Sequence, residues 1–348
     1  MIDQDDLDAA VAADVIDAAT AGRLVAFARN HGRGTAGPDE ESFRLLTGFN
    51  DIFVTIAVGL VLFAIASLGG RMSPTLGAGL VVAASWVLAE YFTRQRRMAL
   101  PSIALLLAFV GGAFAVGATL LMPTNPLGGP MIDARSSSGG VLGVAGAAAL
   151  AAVAAFAHWR RFRVPITVAA GAAALAGLVL ALASASAALA PVVFLILTLI
   201  AGLAIFALAM TFDARDRTRA TRWSDVAFWL HLLAAPAIVH PVFALAGLLN
   251  GTPAPGAAAL VIIVYAALTV VALAIDRRAL LVSALGYVIY AIQSLVTHGG
   301  EIGASFALTA LVIGGFLVLL SAAWRPIRAR VLAMLPGTMT MRLPMVTV

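Results

Sequence analysis

The sequence predicts an all-α, polytopic transmembrane helix bundle of about ten spans, preceded by a short soluble helical segment. Three observations carry that prediction. Hydrophobic residues make up 62% of the chain and charged residues only 11%, too little charge to cover a water-soluble domain. The apolar residues come in runs of roughly 18–24, enough to cross a hydrocarbon core of ~30 Å at ~1.5 Å per residue. Arginines gather in every second segment between those runs, as cytoplasmic loops do.

The charge pattern excludes other classes. All 22 basic residues are arginine. The pI of about 10.6 does not point to a nucleic-acid partner. Residues 1–51 hold ten acids and four arginines, and the rest of the chain holds seven acids and 18 arginines, placed between apolar runs where topology accounts for them. Cysteine is absent, which removes disulfides, a thiolate nucleophile and a cysteine metal site. No basic start with a short apolar core, the mark of a signal peptide, precedes the first span. The Ala-, Gly- and Arg-rich, lysine-free composition points to a bacterial inner membrane.

Residues 1–50 read as a cytoplasmic helical segment. Asp5 or Asp6 caps a helix carrying Leu7, Val11 and Val15, and Asp17 caps a second with Leu24, Phe27 and Ala28 on its apolar side. Residues 31–38, HGRGTAGP, form a breaker-rich linker. Phe43, Leu46 and Phe49 recur every three residues and suit a short helix on the membrane surface. The transmembrane domain covers 51–325, with spans at 52–70, 75–92, 100–121, 139–157, 166–189, 191–211, 226–249, 257–275, 279–296 and 302–324. A cytoplasmic tail, 326–348, follows. Only Pro191 marks the division between the fifth and sixth spans.

Arginine counts support that division. With both termini inside, inner segments hold 20 arginines and outer loops only Arg71 and Arg135. Merging the two spans would move the arginines from 215 onward to the outside. Tyr91, Phe92, Trp159, Trp223 and Trp324 stand at span ends, where aromatic side chains suit the interface. Glycines such as Gly143, Gly146, Gly171 and Gly177 lie inside spans and allow close helix approach. QRRMALP (95–101), WRRFRVP (159–165) and DRRALL (276–281) mark inner turns, about 60 residues or one helical hairpin apart where adjacent. Ten spans also divide into five plus five, the plan of inverted repeats.

The seventh span carries FWLHLLAAPAIVHPVF (228–243), two histidines and two prolines in an apolar run. His240 stands near its middle and His231 about two turns nearer the cytoplasm. Nine residues at 100° each place them on opposite faces, so they do not share a metal. Pro236 and Pro241 lack backbone donors and are expected to kink the helix. Either the histidines line a substrate or proton path with His240 at its centre, or both bond locally and the kink serves packing. In the ninth span Tyr287, Tyr290 and Gln293 form one stripe, facing the same path or bridging helices. Glu90 pairs with Arg94 or Arg97, with a proton relay as the lesser alternative. Asn50 and Asp51 cap the first span. Asp213, Asp216, Asp225 and Asp276 lie among arginines and balance local charge. No Walker-type loop, HExxH, GxSxG or EF-hand motif occurs, so no enzyme, cofactor or metal centre is expected.

The segment VIDAATAGRLVAFARN (15–30), followed by the polytopic remainder, resembles the N-terminal signature of bacterial predicted membrane proteins grouped as domain of unknown function 2157. ESFRLLTGFNDIF (41–53) and AEYFTRQRRMALPS (89–102) look like signatures of a related group. The resemblance implies a membrane protein and no particular activity. Two functions remain open. One is a transporter or permease-like protein for a small molecule, with the kinked seventh span and the ninth lining its path. The other is a non-transporting scaffold or regulatory protein whose acidic residues 1–50 bind a cytoplasmic protein.

Overall fold

A computed structural model describes residues 7, 10–35, 49–122, 138–186, 190–217, 219, 221–247, 257–278, 280–282, 285–286, 289, 302–337 and 343. Among these residues the chain is helical, with no strands. It divides into two units, Met1–Ser42 with Met345–Val348, and Phe43–Pro344.

In the first unit, helix α1 (Ala18–Thr35) is capped as its sequence predicts. The Asp17 carboxylate accepts the Thr20 backbone N–H at 2.7 Å. The Thr20 side-chain hydrogen bond, followed by this backbone bond, holds the Asp17 carboxyl below the usual carboxylate range. Asp14 precedes it in the left-handed region, φ 58°, which breaks the helical path between the two expected helices. The helix runs on through Gly32 and Gly34 into the stretch expected to be a linker. The helical cost of glycine, about 1 kcal/mol each, does not end it. The expected surface helix at 43–49 lies outside the described residues except for its last residue.

The second unit is built from long helices: α2 (Phe49–Met72), α3 (Pro74–Ala89) with a π-helical turn at Glu90–Gln95, α4 (Ala99–Leu121), α5 (Ser138–Phe162), α6 (Ile166–Ser186), α7 (Pro191–Arg215), α8 (Arg222–Leu245), α9 (Ala257–Ile275), α10 (Ile302–Ala322) and α11 (Trp324–Met334). Seven of them, α2 to α8, are long and apolar enough to cross a membrane. Helices α6 and α7 are separate, and Pro191 opens the second, where its missing N–H costs nothing. The expected eighth and tenth spans coincide with α9 and α10, whereas the ninth lies largely outside the described residues.

The exterior of these helices is apolar. Phe63 is 71% exposed, Leu60 65%, Val153 64% and Leu319 69%. Such a surface is stable only against lipid or another apolar partner. Inside, small residues set the spacing. A side chain on Gly117 of α4 would meet the Ala147 Cα of α5 at 2.6 Å, and one on Gly77 would meet the backbone of Gly70 at 2.7 Å. Backbones this close gain van der Waals contact without any hydrophobic drive, which lipid does not supply.

The turns after α3, α5, α7 and α9 share one device. Arg97, Arg163, Arg219 and Asp276 each adopt the left-handed conformation, φ 53–56°. A left-handed residue after a helix lets the next amides return to its last carbonyls. Arg277 N thus donates to Ala272 O at 2.9 Å, and Arg163 N to Trp159 O at 3.1 Å. Each non-glycine residue there costs about 1–2 kcal/mol. Three of the four turns are those in which the sequence repeats an arginine-rich pattern.

Helix α8 is the most buried of the seven membrane-length helices. Val226, Leu230 and Ala234 share one buried apolar cluster with residues of α6 and α7, while Ala235, Val239 and Phe243 belong to another that includes residues of α9, α10 and α11. The expected tail at 326–348 therefore begins as packed structure, since Trp324 and Arg328 of α11 are both buried.

Candidate functional site: a buried carboxylate, histidine and arginine

Helices α7 and α8 form a hairpin closed by an Asp216 cap. Asp216 Oδ2 accepts the Thr221 amide at 2.9 Å and the Thr221 hydroxyl at 2.6 Å. The closure sets Asp213, two residues before the end of α7, beside the first turns of α8. Asp213 is 1% exposed. Its Oδ2 accepts His231 Nε2–H at 2.9 Å, and its carboxylate also accepts both Nε and Nη2 of Arg277 from the turn after α9. The Arg277 Nη2 further donates to the Ser224 carbonyl at 3.1 Å and its hydroxyl at 3.2 Å. One buried carboxylate thus joins three segments.

This arrangement fixes the histidine tautomer. A carboxylate held by arginine can only accept, so the neutral imidazole carries its proton on Nε2. His231 Nδ1 is then a bare lone pair. It is buried and has no hydrogen-bond partner among the described residues. The Phe206 ring of α7 packs edge-on against the imidazole at 5.1 Å. The cluster therefore runs inward from a helix end, from Arg277 to Asp213 to His231, and stops at an unused proton acceptor.

A second carboxylate stands beside it. Asp276 accepts Arg219 Nη1 at 3.0 Å and Trp324 Nε1–H at 2.7 Å, with Arg328 Nε at 3.7 Å. Arg219 also donates to the carbonyls of Ile275 and Asp276, and Arg328 to that of Leu273. Two guanidinium groups therefore cap the carbonyl end of α9, where the helix dipole favours positive charge. Asp276 and Arg277 are adjacent, so one turn of chain ties α11 to one carboxylate and α7–α8 to the other.

The structure places the sequence candidates as follows. His231 and His240 lie on different faces of α8. His231 is buried and His240 is exposed on the outer side of the helix. The acid missing from His231's own span comes from the neighbouring helix. Asp213, expected only to balance surface charge, is the hub, and the signal that could have found it is its position four residues after Ala209 on the buried stripe of α7. Pro236 and Pro241 lie within α8, which continues as one helix past both. Pro241 has no N–H for the Ala237 carbonyl, and Gly202 of α7 packs against that carbonyl, where a Cβ would sit 2.8 Å from it. Pro241 thus marks a close helix contact. Glu90 pairs with Arg94 at 3.3 Å and, across helices, with Arg161 at 2.6 Å, so α5 supplies the second partner in place of Arg97. Tyr287, Tyr290 and Gln293 lie outside the described residues.

Among the described residues no three His, Asp or Glu side chains gather as a metal ion would require. Compared with protein-family models, with curated proteins and with solved structures, the chain matches none.

Proposed function

We propose that the chain is a permease-like protein in which the Asp213–His231 pair is the protonatable element linked to solute movement. The observation that carries this reading is a fully buried carboxylate and histidine between two membrane-length helices. Buried ion pairs lose several kcal/mol of hydration per ion, and apolar side chains of the same size hold helices together as well or better. Helices elsewhere in this bundle meet through glycine and alanine. Charge in such a setting is characteristic of proton relays and substrate paths. His231 Nδ1 supplies the acceptor, and Asp213 with Arg277 holds the imidazole in place.

The setting belongs to the same proposal: a bacterial inner membrane, ten spans, both termini inside. Trp324, which opens α11 two residues past the end of α10, bonds Asp276, the residue after α9. Both helices therefore finish at one end of the bundle, which supports a further crossing between them and an even total. We assign the chain no chemical reaction and no cofactor.

A second reading is favoured by one observation. Leu24 and Phe27 of α1 are 45% and 59% exposed, an apolar face suited to a protein partner. In that case the bundle anchors and does not transport.

One experiment separates the two. The chain has no cysteine, so Ala234→Cys, one turn deeper than His231 and fully buried, is a unique reporter. A permease-like cycle exposes this position, so small water-soluble thiol reagents label it in right-side-out or inverted vesicles. Adding Asp213→Asn slows that labelling. A folded protein that resists labelling from both sides sinks the permease reading and leaves the anchoring one.

A further inference from the structure

We propose that the adjoining ends of α5, α7 and α8 form a binding surface for an anionic phospholipid headgroup. Three aromatic residues from three helices meet there in one ladder. Phe212 stacks on Trp223 with ring centroids 5.3 Å apart and planes at 14°, and Trp223 meets Trp159 at 6.1 Å. The Arg215 guanidinium lies over the Phe212 ring at 5.8 Å. Arg160 and Arg222 flank the two tryptophans in sequence and are exposed.

Arginines of this end differ in their pairing. Arg161, Arg219, Arg277 and Arg328 are each engaged by Glu90, Asp213 or Asp276. Arg160, Arg215 and Arg222 pair with no carboxylate among the described residues. Asp225, one turn along α8 from Arg222, is exposed nearby, and the surface keeps a net positive charge. Arg215 thus lies over the ledge, and exposed Arg160 and Arg222 adjoin its tryptophans along the chain, with the Arg160 guanidinium over the Phe156 ring at 5.9 Å; Trp223 is 39% exposed.

A phospholipid matches both parts. Tryptophan and phenylalanine at the ends of membrane helices lie at the depth of the glycerol and upper acyl chains. Guanidinium groups one step outward lie at the depth of the phosphate, which they bind in a planar, two-bonded geometry. Three unpaired positive charges favour an anionic lipid over a zwitterionic one. A soluble phosphate would use the arginines and leave the ledge without a partner. This inference stands whether or not the bundle transports a solute.

The test is retention of lipid by the purified full-length chain in detergent, read by native mass spectrometry after titration with phosphatidylglycerol or phosphatidylcholine. Phosphatidylglycerol is expected to bind the more tightly, by about five-fold for each arginine engaged. The triple variant R160Q/R215Q/R222Q, changed only at exposed positions, loses that preference, and R160K/R215K/R222K keeps most of it. Trp159→Ala with Trp223→Ala weakens both lipids. Equal retention of the two lipids by the unaltered chain overturns the proposal. So does a preference that survives the triple glutamine variant, or one abolished by millimolar inorganic phosphate, which would indicate a site for the free anion.

Discussion

Asp213 is held by two cationic or protonatable partners from different segments, and each partner depends on it. Removing the carboxylate leaves Arg277 buried with only the Ser224 oxygens to bind and leaves His231 Nε2–H without an acceptor. Breaking a buried pair by deleting one partner costs about 3–5 kcal/mol, because the remaining charge stays out of water. Asp213→Ala is therefore expected to lower the thermal midpoint of the detergent-solubilised protein sharply, and Asp213→Asn nearly as much, since it keeps the shape and loses the charge. His240→Ala, on the outer side of the same helix, is expected to shift it little. Comparable midpoints for the variants at 213 and 240 would contradict this account of the hub.

Helices α7 and α8 contact each other closely enough that a single methyl group decides the spacing. A Cβ at Gly202 would lie 2.8 Å from the Ala237 backbone carbonyl, and backbone cannot rotate aside as a side chain does. Gly202→Ala is expected to destabilise the fold by ~1–3 kcal/mol through forced separation of the helices. Gly59→Ala on α2, where nothing lies within 4 Å, is the control. There the gain in helix propensity, up to ~1 kcal/mol, faces no clash. Thermal unfolding of the two variants should move in opposite directions. Small residues in these helices were legible as packing signals from their density inside the spans, and the prolines only as expected kink sites. Which glycine meets which carbonyl was not, because register between helices is set by contacts that sequence periodicity does not encode.

Among the described residues, the left-handed turns at Arg97, Arg163, Arg219 and Asp276 follow α3, α5, α7 and α9, and most of the exposed arginines lie in or beside them. Single cysteines at Arg96 and Arg330 are expected to react with impermeant thiol reagents from the same side of sealed vesicles, and cysteines at Arg71 and Arg135 from the other. Opposite sidedness at 96 and 330 would require an odd number of crossings between them and would remove the ten-span topology.

The amino-acid sequence by itself determined the class of the molecule: helical, lipid-facing, with arginine at alternate turns. These are properties of composition and of runs along the chain, and a long apolar segment has few ways to satisfy its backbone in lipid other than as a helix. It also placed His231 and His240 on different faces of α8, since helical phase needs only residue spacing. Only the tertiary structure decided which face is inward. It brought Asp213, 18 residues before His231, and Arg277, 64 residues after Asp213, to one point, and it drew Trp159, Phe212 and Trp223 from three helices into one ladder. Both arrangements depend on how the ends of separate helices are staggered. That stagger follows from glycine and alanine contacts summed over the bundle, and no local stretch of sequence states it.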